Sequence, residues 1–294
     1  MRPSRILTAS VVALLAGCSM SSPSSQDARI SVLLKDAPAN VTHAVVTISE
    51  IDLVGDGGSQ VLSTTEHTTD LLTLANDVTT LVDAAPIPAG TYSQLRFVIT
   101  GAYIEVDGAI YASSPDYAGL PAGTPPGSVG VLRMPSYGQS GLKVVFDGGV
   151  TIADGTTTLV VDFDVSQSFG HAAGSSGAWV MHPVVRGARL EETGQVEATL
   201  SAGAVVLPGG TTLGDFWAEL IPSGETTGVL VQFTSQGETY AADFSFVLPG
   251  DYTLVVVPPT GFTCTTDPVS APVTVVGGGT ASAAFTLTAF APAT

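Results

Sequence analysis

Apolar and polar residues alternate over many short stretches of the chain, and a period of two predicts β-strands with one buried face. Two early stretches show this pattern, ARISVLLKDA at residues 28–37 and HAVVTISEIDLV at residues 43–54. In the second stretch the phase changes at Glu50, which indicates a β-bulge. Turns between later strands are predicted at three Asp-Gly pairs, 107–108, 147–148 and 154–155. The pattern therefore predicts a protein of the all-β class.

Two segments of the first half depart from the alternation. After Asp70, a residue type that caps helices, four apolar residues follow at helical spacing, and they predict one short helix or a turn within residues 70–81: Leu71, Leu74, Val78 and Leu81. Residues 113–141 are rich in Pro, Gly and Ser and predict a long excursion from the sheets. Segments of this kind are usually functional or disordered.

The N-terminus is an export signal rather than part of a fold. MRPSRILTASVVALLAGC combines a positive start, an apolar centre and small residues before Cys18, and it is too short to span a bilayer. Its end, Leu15-Ala16-Gly17-Cys18, resembles the bacterial lipobox. That resemblance implies cleavage after residue 17 and acyl chains on Cys18 that hold the protein at a membrane. The alternative is an ordinary signal peptide with a chance cysteine.

Ser19 after the lipidated cysteine implies sorting to the outer membrane in bacteria with two membranes. The alternation ends near residues 191–194 and then begins again, with about seven short strands spaced as in a sandwich. We therefore predict a cleaved signal peptide followed by two tandem β-sandwich domains, the first containing one short helix. The predicted boundaries are residues 1–17 for the signal, 18–28 for the lipidated cysteine and tether, 29–191 for the first domain and 194–290 for the second.

Charge and cysteine content exclude several classes of function. The chain has 294 residues, 12% of them charged, and a net charge of −17. Cleavage removes Arg2 and Arg5, which leaves 7 basic and 26 acidic residues and a net charge of −19. Such a chain repels phosphate backbones, so we expect no nucleic-acid partner. With only Cys18 and Cys264 present, Cys264 is either a buried hydrophobic residue or a thiol for intermolecular pairing.

Six motifs of the first unit follow one another in a recognisable order: SVLLKDAP (31–38), DLL (70–72), PAGTY (88–92), QSGLK (139–143), LVVDFD (159–164) and HPVVR (182–186). In this order they resemble the bacterial "domain of unknown function 4382" family. The resemblance covers about residues 29–191. It implies an exported, often lipid-anchored β protein without an established activity, so it assigns no catalytic residue.

In the second unit, FSFVLPGDYTL (244–254) is followed by PPTGF (258–262). Together they resemble the late hairpin of transthyretin-like, carboxypeptidase-regulatory-like domains and of collagen-adhesin B-type repeats. Pro249-Gly250 suits the turn, and the diproline at 258–259 ends the strand. The resemblance implies a sandwich with a carbohydrate-binding-like fold, and folds of this type serve many functions.

The candidate sites are few. Asp162 and Asp164 lie two residues apart on a predicted strand, so both carboxylates share a face. They either begin a Ca²⁺ site or are solvated at a strand end. Ser140 lacks the Gly-x-Ser-x-Gly elbow of hydrolases, and the four histidines are too scattered to propose a triad. A binding surface is proposed on four tyrosines in or beside the excursion, which either contact sugar rings or a protein, or cover loop ends: Tyr103, Tyr111, Tyr117 and Tyr137.

These observations predict a lipid-anchored protein of the bacterial envelope, at the outer membrane and facing either the periplasm or the surface. We expect it to be non-enzymatic and to contact a glycan, a matrix component or another envelope protein. Two alternatives stay open. One is a structural stalk stabilised by Ca²⁺ at Asp162 and Asp164, and the other is a carbohydrate-active hydrolase.

Overall fold

The computed structural model of the protein describes residues 28–37, 41–74, 76–125, 127–135, 137–171, 177–237 and 239–293. They form an all-β protein of two tandem β-sandwiches, as the alternation predicts. The strands of the first domain are β1 (Arg29–Ala37), β2 (His43–Gly55), β3 (Gly58–Ser63), β4 (His67–Asp70), β5 (Thr79–Pro86), β6 (Gly90–Val106), β7 (Ala109–Ala112), β8 (Gly130–Arg133), β9 (Leu142–Ile152), β10 (Thr156–Asp164), β11 (Phe169–His171), β12 (Trp179–Met181) and β13 (Val184–Arg189).

Two sheets enclose the core of the first domain. The smaller has the order β13-β10-β1-β5, with β1 and β10 parallel. The larger has nine strands in the order β11-β12-β8-β7-β6-β2-β3, with β4 added to β2 and β9 added to β6. Ile30, Val32 and Leu34 of β1 point into this core, and burial of each such side chain contributes roughly 1.5–3 kcal/mol. The predicted irregularity at Glu50 is confirmed, because the register of β2 against β6 shifts there.

The second domain is a smaller sandwich. Its sheets have the orders β17-β18-β14-β22-β20 and β16-β15-β19-β21, with β14 and β22 parallel. Phe216, Phe244 and Phe285 fill its centre. The strands are β14 (Gly194–Ser201), β15 (Trp217–Pro222), β16 (Val229–Gln232), β17 (Thr234–Gln236), β18 (Thr239–Val247), β19 (Gly250–Val257), β20 (Phe262–Asp267), β21 (Ser270–Val275) and β22 (Thr280–Pro292).

Helical structure is brief. A single 3₁₀ turn, Leu71–Leu74, replaces the longer part of the predicted helix within 70–81. Asn76 has a φ of 60°, and the β-branched residues that follow favour the extended strand β5. Asp70 does act as a cap, because its Oδ1 accepts a hydrogen bond from the amide of Leu72 at 3.3 Å. The other helical segments are α1 (Val165–Ser168) and the 3₁₀ turns Leu190–Glu192 and Leu213–Asp215.

Two predicted loops contain strand. Residues 147–148 are not a turn between strands but part of β9, where Gly148 and Gly149 at positive φ form a bulge opposite β6. The excursion at 113–141 contains β8, which pairs in parallel with β7. Asp-Gly sequences suit bulges and turns alike because both use left-handed backbone.

The two domains follow each other closely. Between β13 and β14 lie only residues 190–193, and Thr193 at their end accepts a hydrogen bond from the amide of Gly278 at 2.9 Å. In the opposite direction, the carbonyl of Gly279 accepts one from Gln195 at 2.9 Å. Helices long and apolar enough to cross a membrane are absent from the described ranges.

Candidate functional site

The outer face of the smaller sheet in the first domain carries a row of charged side chains. Lys35 on β1, Asp162 on β10 and Arg186 on β13 stand directly opposite one another in the register of these strands. In an isolated two-layer sandwich this face would meet water. Here Lys35 is 4% exposed and Asp162 is 9% exposed, while Arg186 remains exposed. The row therefore lies at the interface where the second domain covers the first.

The expectation that Asp162 and Asp164 are solvated at a strand end is wrong. Both are buried, because the second domain lies over the end of β10. Asp164 is the N-cap of α1, accepting hydrogen bonds from the amide of Gln167 at 3.2 Å and from its Nε2 at 2.9 Å. Asp162 has one buried oxygen, Oδ1, with no hydrogen-bond partner in the described part of the chain.

A Ca²⁺ site at these two carboxylates stays a prediction, and the surroundings fit it poorly. Calcium takes about six to eight oxygen ligands. Both carboxylate oxygens of Asp164 already accept hydrogen bonds, and the ammonium of Lys35 lies on the strand next to Asp162. Within the described ranges no group of three or more His, Cys, Asp or Glu side chains is placed to hold a metal ion.

A cavity of about 20 Å³ separates the two domains at this point. From the first domain Lys35, Asp162 and Arg186 line it, and from the second domain Phe244 and Tyr252 do so. A volume of this size holds about one water molecule when polar partners are present. A water there would supply the partner that Asp162 Oδ1 lacks.

Asn76 and Lys35 make direct polar contacts between the domains. The Nδ2 of Asn76 donates to the carbonyl of Asp243 at 2.7 Å, and its Oδ1 accepts from the amide of Ser245 at 2.7 Å. The Nζ of Lys35 donates to the carbonyl of Phe246 at 3.3 Å. All three contacts reach the backbone of β18, so two side chains of the first domain hold one strand of the second.

Tyr252 lies on the second domain's side of the same interface. Its hydroxyl donates to the carbonyl of Leu248 at 2.9 Å. Burial raises the pKa of Tyr252 to about 12, with the nearby Asp162 carboxylate adding to the rise and Arg186 opposing it. The phenol therefore stays neutral well above the usual pH range of tyrosine ionisation.

An open groove of about 550 Å³ continues outward from the cavity, and Arg186 and Leu248 line both. Phe146 and Val150 on β9 and Val185 on β13 contribute apolar surface to it. Grooves of this size between domains are common places for ligands. Its polar rim is electrically balanced, because Glu192 lies there with Arg186.

The structure corrects the expected exposure of the four tyrosines. Tyr103 is 6% exposed and packs with Val45 on the outer face of the larger sheet. Tyr117 covers it, with ring centroids 6.4 Å apart, and the Tyr117 hydroxyl is 2.5 Å from Thr47 Oγ1. Burial raises the pKa of both tyrosines. The Tyr117 ring occupies the space that a Cβ on Gly101 would fill.

The other two tyrosines are half-buried. Tyr111 lies 5.9 Å from Trp179 between ring centroids, and Tyr137 packs against the main core. Burial raises the pKa of Tyr137. Tyr103 and Tyr117 thus cover the larger sheet, while Tyr111 and Tyr137 are partly covered, and a binding role for the four rings stays a prediction.

The residues considered for hydrolysis lie in structural contacts. Ser140 is exposed in the turn before β9. His43 Nδ1 is 2.5 Å from Asp70 Oδ2, and Asp70 Oδ1 accepts from the amide of Ala44 at 3.1 Å. This carboxylate therefore joins the end of β4 to the start of β2.

The two cysteines differ in what can be described. Cys18, the predicted lipidation site, lies outside the described residues, as does the whole predicted signal peptide. Cys264 is half-buried on β20, with its sulfur 3.9 Å from the carbonyl of Val256. Burial raises the pKa of its thiol, which lowers the fraction of reactive thiolate near neutral pH.

Sequence reasoning did not identify Lys35 and Asn76 as contact residues. The sequence did contain a signal for Lys35. It is a lysine within the otherwise apolar strand ISVLLKDA, at an outward-facing position of the alternation, which indicates a specific contact on that face. Asn76 carries no comparable signal, because its role depends on a strand that lies more than 160 residues away.

One family profile matches the chain. It is described as "Domain of unknown function (DUF4382)" and covers residues 27–183, which is more than half of the sequence. A search of curated proteins finds no match.

Comparison with solved structures gives distant likenesses. The Bacillus anthracis TIE protein is 10% identical with a TM-score of 0.22, over 89% of this chain and 34% of that one. The minor pilin GBS52 of Streptococcus agalactiae is 11% identical with a TM-score of 0.24, over 87% and 94%. The fimbrial anchor protein Mfa2 of Porphyromonas gingivalis is 15% identical with a TM-score of 0.20, over 78% and 77%. The chain spans about a third of the TIE structure, and scores at this level do not establish a common fold.

Proposed function

The chain belongs to the family described as domain of unknown function (DUF4382), and from its own architecture we propose that it is a lipid-anchored protein of the bacterial envelope. In this proposal its two β-sandwich domains form a non-enzymatic structural or binding module. The observation that carries the module is the covered interface: two sandwiches joined by residues 190–193 are held together by Asn76 and Lys35. Domains joined in this way suit a protein that holds a binding surface at a distance from its anchor.

The anchor is supported by the sequence before the first domain. The export signal ends in Leu-Ala-Gly-Cys at residues 15–18, and a polar segment, SMSSPSS at 19–25, separates Cys18 from the fold. Several acyl chains on one cysteine hold a protein at a membrane where one chain is marginal. Ser19 supports sorting to the outer membrane, so we place the protein there.

The second domain is proposed to be transthyretin-like. Support comes from the hairpin β18–β19, where Pro249 and Gly250 make the turn and Tyr252 and Leu254 point into the core. The partner is proposed to be a glycan, a matrix component or another envelope protein. The interdomain groove between β9 and β13 is the first surface to test, because it is open and combines apolar side chains with the charged pair Arg186 and Glu192 at its rim.

The chain's two cysteines give a matched test of the anchor. We expect Cys18→Ser to abolish incorporation of labelled palmitate and to release the protein from the membrane fraction, whereas Cys264→Ser leaves both unchanged. Retention of the Cys18→Ser chain in the membrane fraction would contradict lipid anchoring. Protease treatment of intact cells then separates the two orientations, since only surface-facing domains are digested before the envelope is opened.

The binding half is tested separately with the mature protein. We expect it to retain an envelope glycan or protein in a pulldown, and substitution of Val145→Asp in the groove to reduce that binding. Val145 is 64% exposed on the groove wall, so the change does not disturb the core. A mature protein that retains nothing from envelope fractions would leave only the structural half of the proposal.

A further inference from the structure

Strand β18 of the second domain is paired along only part of one edge. It pairs with β14 from Tyr240 to Val247, but with β17 only over its first three residues, Thr239–Ala241. Beyond Ala241 no strand of the described chain lies along the second edge. An open strand edge is a template for pairing with another chain, because its amides and carbonyls have no partners.

Asn76 of the first domain occupies this edge. Its side-chain amide donates to the carbonyl of Asp243 and accepts from the amide of Ser245, both at 2.7 Å. In an antiparallel pair a strand residue exchanges both bonds with one residue of the edge, whereas the Asn76 amide bonds one outward-facing group on each of two residues. The Asn76 side chain therefore occupies the part of the edge that β17 leaves open beyond Ala241.

The backbone is held in an unusual conformation on both sides of this contact. Asn76 has a φ of 60° and Phe246 has a φ of 55°. Asparagine tolerates the left-handed region, but a bulky residue such as phenylalanine rarely adopts it. At Phe246 the register of β18 against β14 is shifted, and the carbonyl of this residue accepts from Lys35 Nζ at 3.3 Å.

The distribution of charge explains why the first domain, and not the second, supplies the cation at the open edge of β18. Residues 194–294 contain eight acidic residues and no Lys, Arg or His. The second domain therefore has no cationic side chain with which to protect its own edge, although lysine is a common protector of strand edges. Lys35 supplies that cation from the other domain.

We propose that Asn76 and Lys35 form an intramolecular edge cap, and that without this cap the β18 edge pairs with the β18 edge of a second copy of the chain. An antiparallel strand edge is complementary to itself about a two-fold axis, so two copies satisfy the same groups at once. The segment along the open edge, DFSFV at 243–247, has two aromatic residues and one charge, a composition that favours strand pairing. The excess of acidic residues opposes association of two copies, and salt weakens that repulsion.

The test measures molar mass by light scattering on the mature chain from residue 18, carrying Cys18→Ser, in reducing buffer. The variant Asn76→Gly with Lys35→Met removes both contacts, and glycine keeps the left-handed backbone at position 76. We expect the parent chain to be monomeric and the variant to dimerise at least tenfold more tightly, with a further increase at high salt. Adding Ser245→Pro removes the amide that faces the open edge and is expected to restore the monomer.

Matched controls remove similar groups elsewhere. Gln232→Ala deletes an amide that donates to the carbonyl of Gly214 at 2.7 Å within the second domain, and Lys143→Met removes an exposed lysine of the first. Both are expected to stay monomeric. A monomeric Asn76→Gly/Lys35→Met variant would overturn the proposal, and so would a dimer that persists with Ser245→Pro.

Hydrogen exchange keeps the proposal testable if the double variant does not fold. In the parent chain the amide of Ser245 should be protected, and Asn76→Gly alone should speed its exchange at least tenfold. The amide of Thr212, which donates to Asp215 Oδ2 at 2.7 Å within the second domain, serves as the unaffected reference. Equal exchange at Ser245 in both chains would mean that Asn76 does not cap the edge. This outcome is independent of lipid anchoring.

Discussion

Each of the two domains begins with a strand that pairs in parallel with a late strand, β1 with β10 and β14 with β22. Each also contains a tyrosine whose hydroxyl donates to the carbonyl four residues earlier, Tyr92 to Pro88 at 2.8 Å and Tyr252 to Leu248 at 2.9 Å. In both cases a glycine lies two residues before the tyrosine, and Gly250 has a positive φ of 152° that favours glycine. The same local hydrogen bond from a tyrosine to a carbonyl thus occurs in two sandwiches of different size.

The surroundings of these two tyrosines differ. Tyr92 packs within the core of the first domain, whereas Tyr252 belongs to the core of the second domain and also lines the interdomain cavity with Asp162 and Arg186. Outside the predicted signal peptide, all seven Lys and Arg residues belong to the first domain. The second domain therefore relies on its neighbour for cations and for the cover of β18, while the first encloses its own core. We therefore expect the stability of the second domain to depend on the first domain more than the first depends on the second.

The largest expected effect comes from truncating one buried phenylalanine in each core. Phe97→Ala and Phe285→Ala should each lower the free energy of unfolding of their own domain by about 3–5 kcal/mol, since a cavity replaces the ring. The chain offers one reporter per domain, Trp179 and Trp217, so denaturation of single-tryptophan variants follows each domain separately. We expect Phe97→Ala to shift both transitions and Phe285→Ala to shift mainly its own. Equal effects of the two changes on both reporters would contradict the asymmetry.

Alkaline pH tests the interface tyrosine. Tyrosine ionises near pH 10.0 in the unfolded chain, whereas burial raises the pKa of Tyr252 to about 12 in the folded one. Between these values the folded state holds a proton that the unfolded state has lost, so this stabilisation is complete below pH 10 and is lost as the pH rises toward 12. Two pKa units correspond to about 3 kcal/mol at most.

The measurement is the free energy of unfolding followed at Trp217 as a function of pH. Tyr252→Phe should be less stable than the parent chain by about 1 kcal/mol below pH 10, because one hydrogen bond is lost, and should lose less stability above it. Tyr240→Phe, in the same domain, is the control and should keep the steep alkaline loss. An unchanged pH dependence in Tyr252→Phe would show that this phenol is not responsible.

A change of moderate size is expected on the outer face of the first domain. A methyl group at Gly101 would occupy the space of the Tyr117 ring, so Gly101→Ala should displace Tyr117 and weaken its contacts with Thr47 and Tyr103. Overpacking of this kind costs about 1–3 kcal/mol. Denaturation followed at Trp179 measures it, and Gly57→Ala, where a methyl group meets no atom within 4 Å, is the control. The transition at Trp217 should move less than that at Trp179, and the reverse order would contradict the independence of this face.

Patterns that are local in the chain could be predicted from it. Burial of one strand face gives Ile30, Val32 and Leu34 their alternation, and the phase change at Glu50 marks a real shift of register. The helical spacing within residues 70–81 predicted a longer helix than the structure has. Val78, Thr79 and Thr80 are β-branched and favour extended backbone, and the two threonines begin strand β5. Where a local pattern serves two structures, long-range pairing selects between them.

The candidate site depends on contacts that the sequence does not display. Asp162 and Asp164 have the spacing of solvated strand-end carboxylates, but they are buried and line the cavity where the second domain meets β10. The tyrosines near the excursion are covered for a related reason, since Gly101 leaves room for the Tyr117 ring from a distant strand. Asn76 acquires its role from β18 alone.

The smallest expected effect concerns divalent cations, and it separates a charged interface from a metal site. Asp164 uses both oxygens for its contacts with Gln167, and Lys35 lies beside Asp162. We therefore expect EDTA, or added Ca²⁺, to leave the melting temperature unchanged, whereas a Ca²⁺-stabilised stalk would lose stability with EDTA. Asp164→Ala should destabilise the protein by about 1 kcal/mol through loss of the helix cap, equally with and without Ca²⁺.

The pair of Asp162→Asn and Asp162→Ala completes this test. Asparagine keeps the size of the side chain and removes a buried charge that lacks one hydrogen bond, so it should cost less than alanine, which also enlarges the cavity. An EDTA-dependent loss of melting temperature that disappears in both Asp162 variants would instead establish a cation between the domains. In that case the two domains would be held by a bound ion, and Lys35 would have to turn away from β10 to admit it.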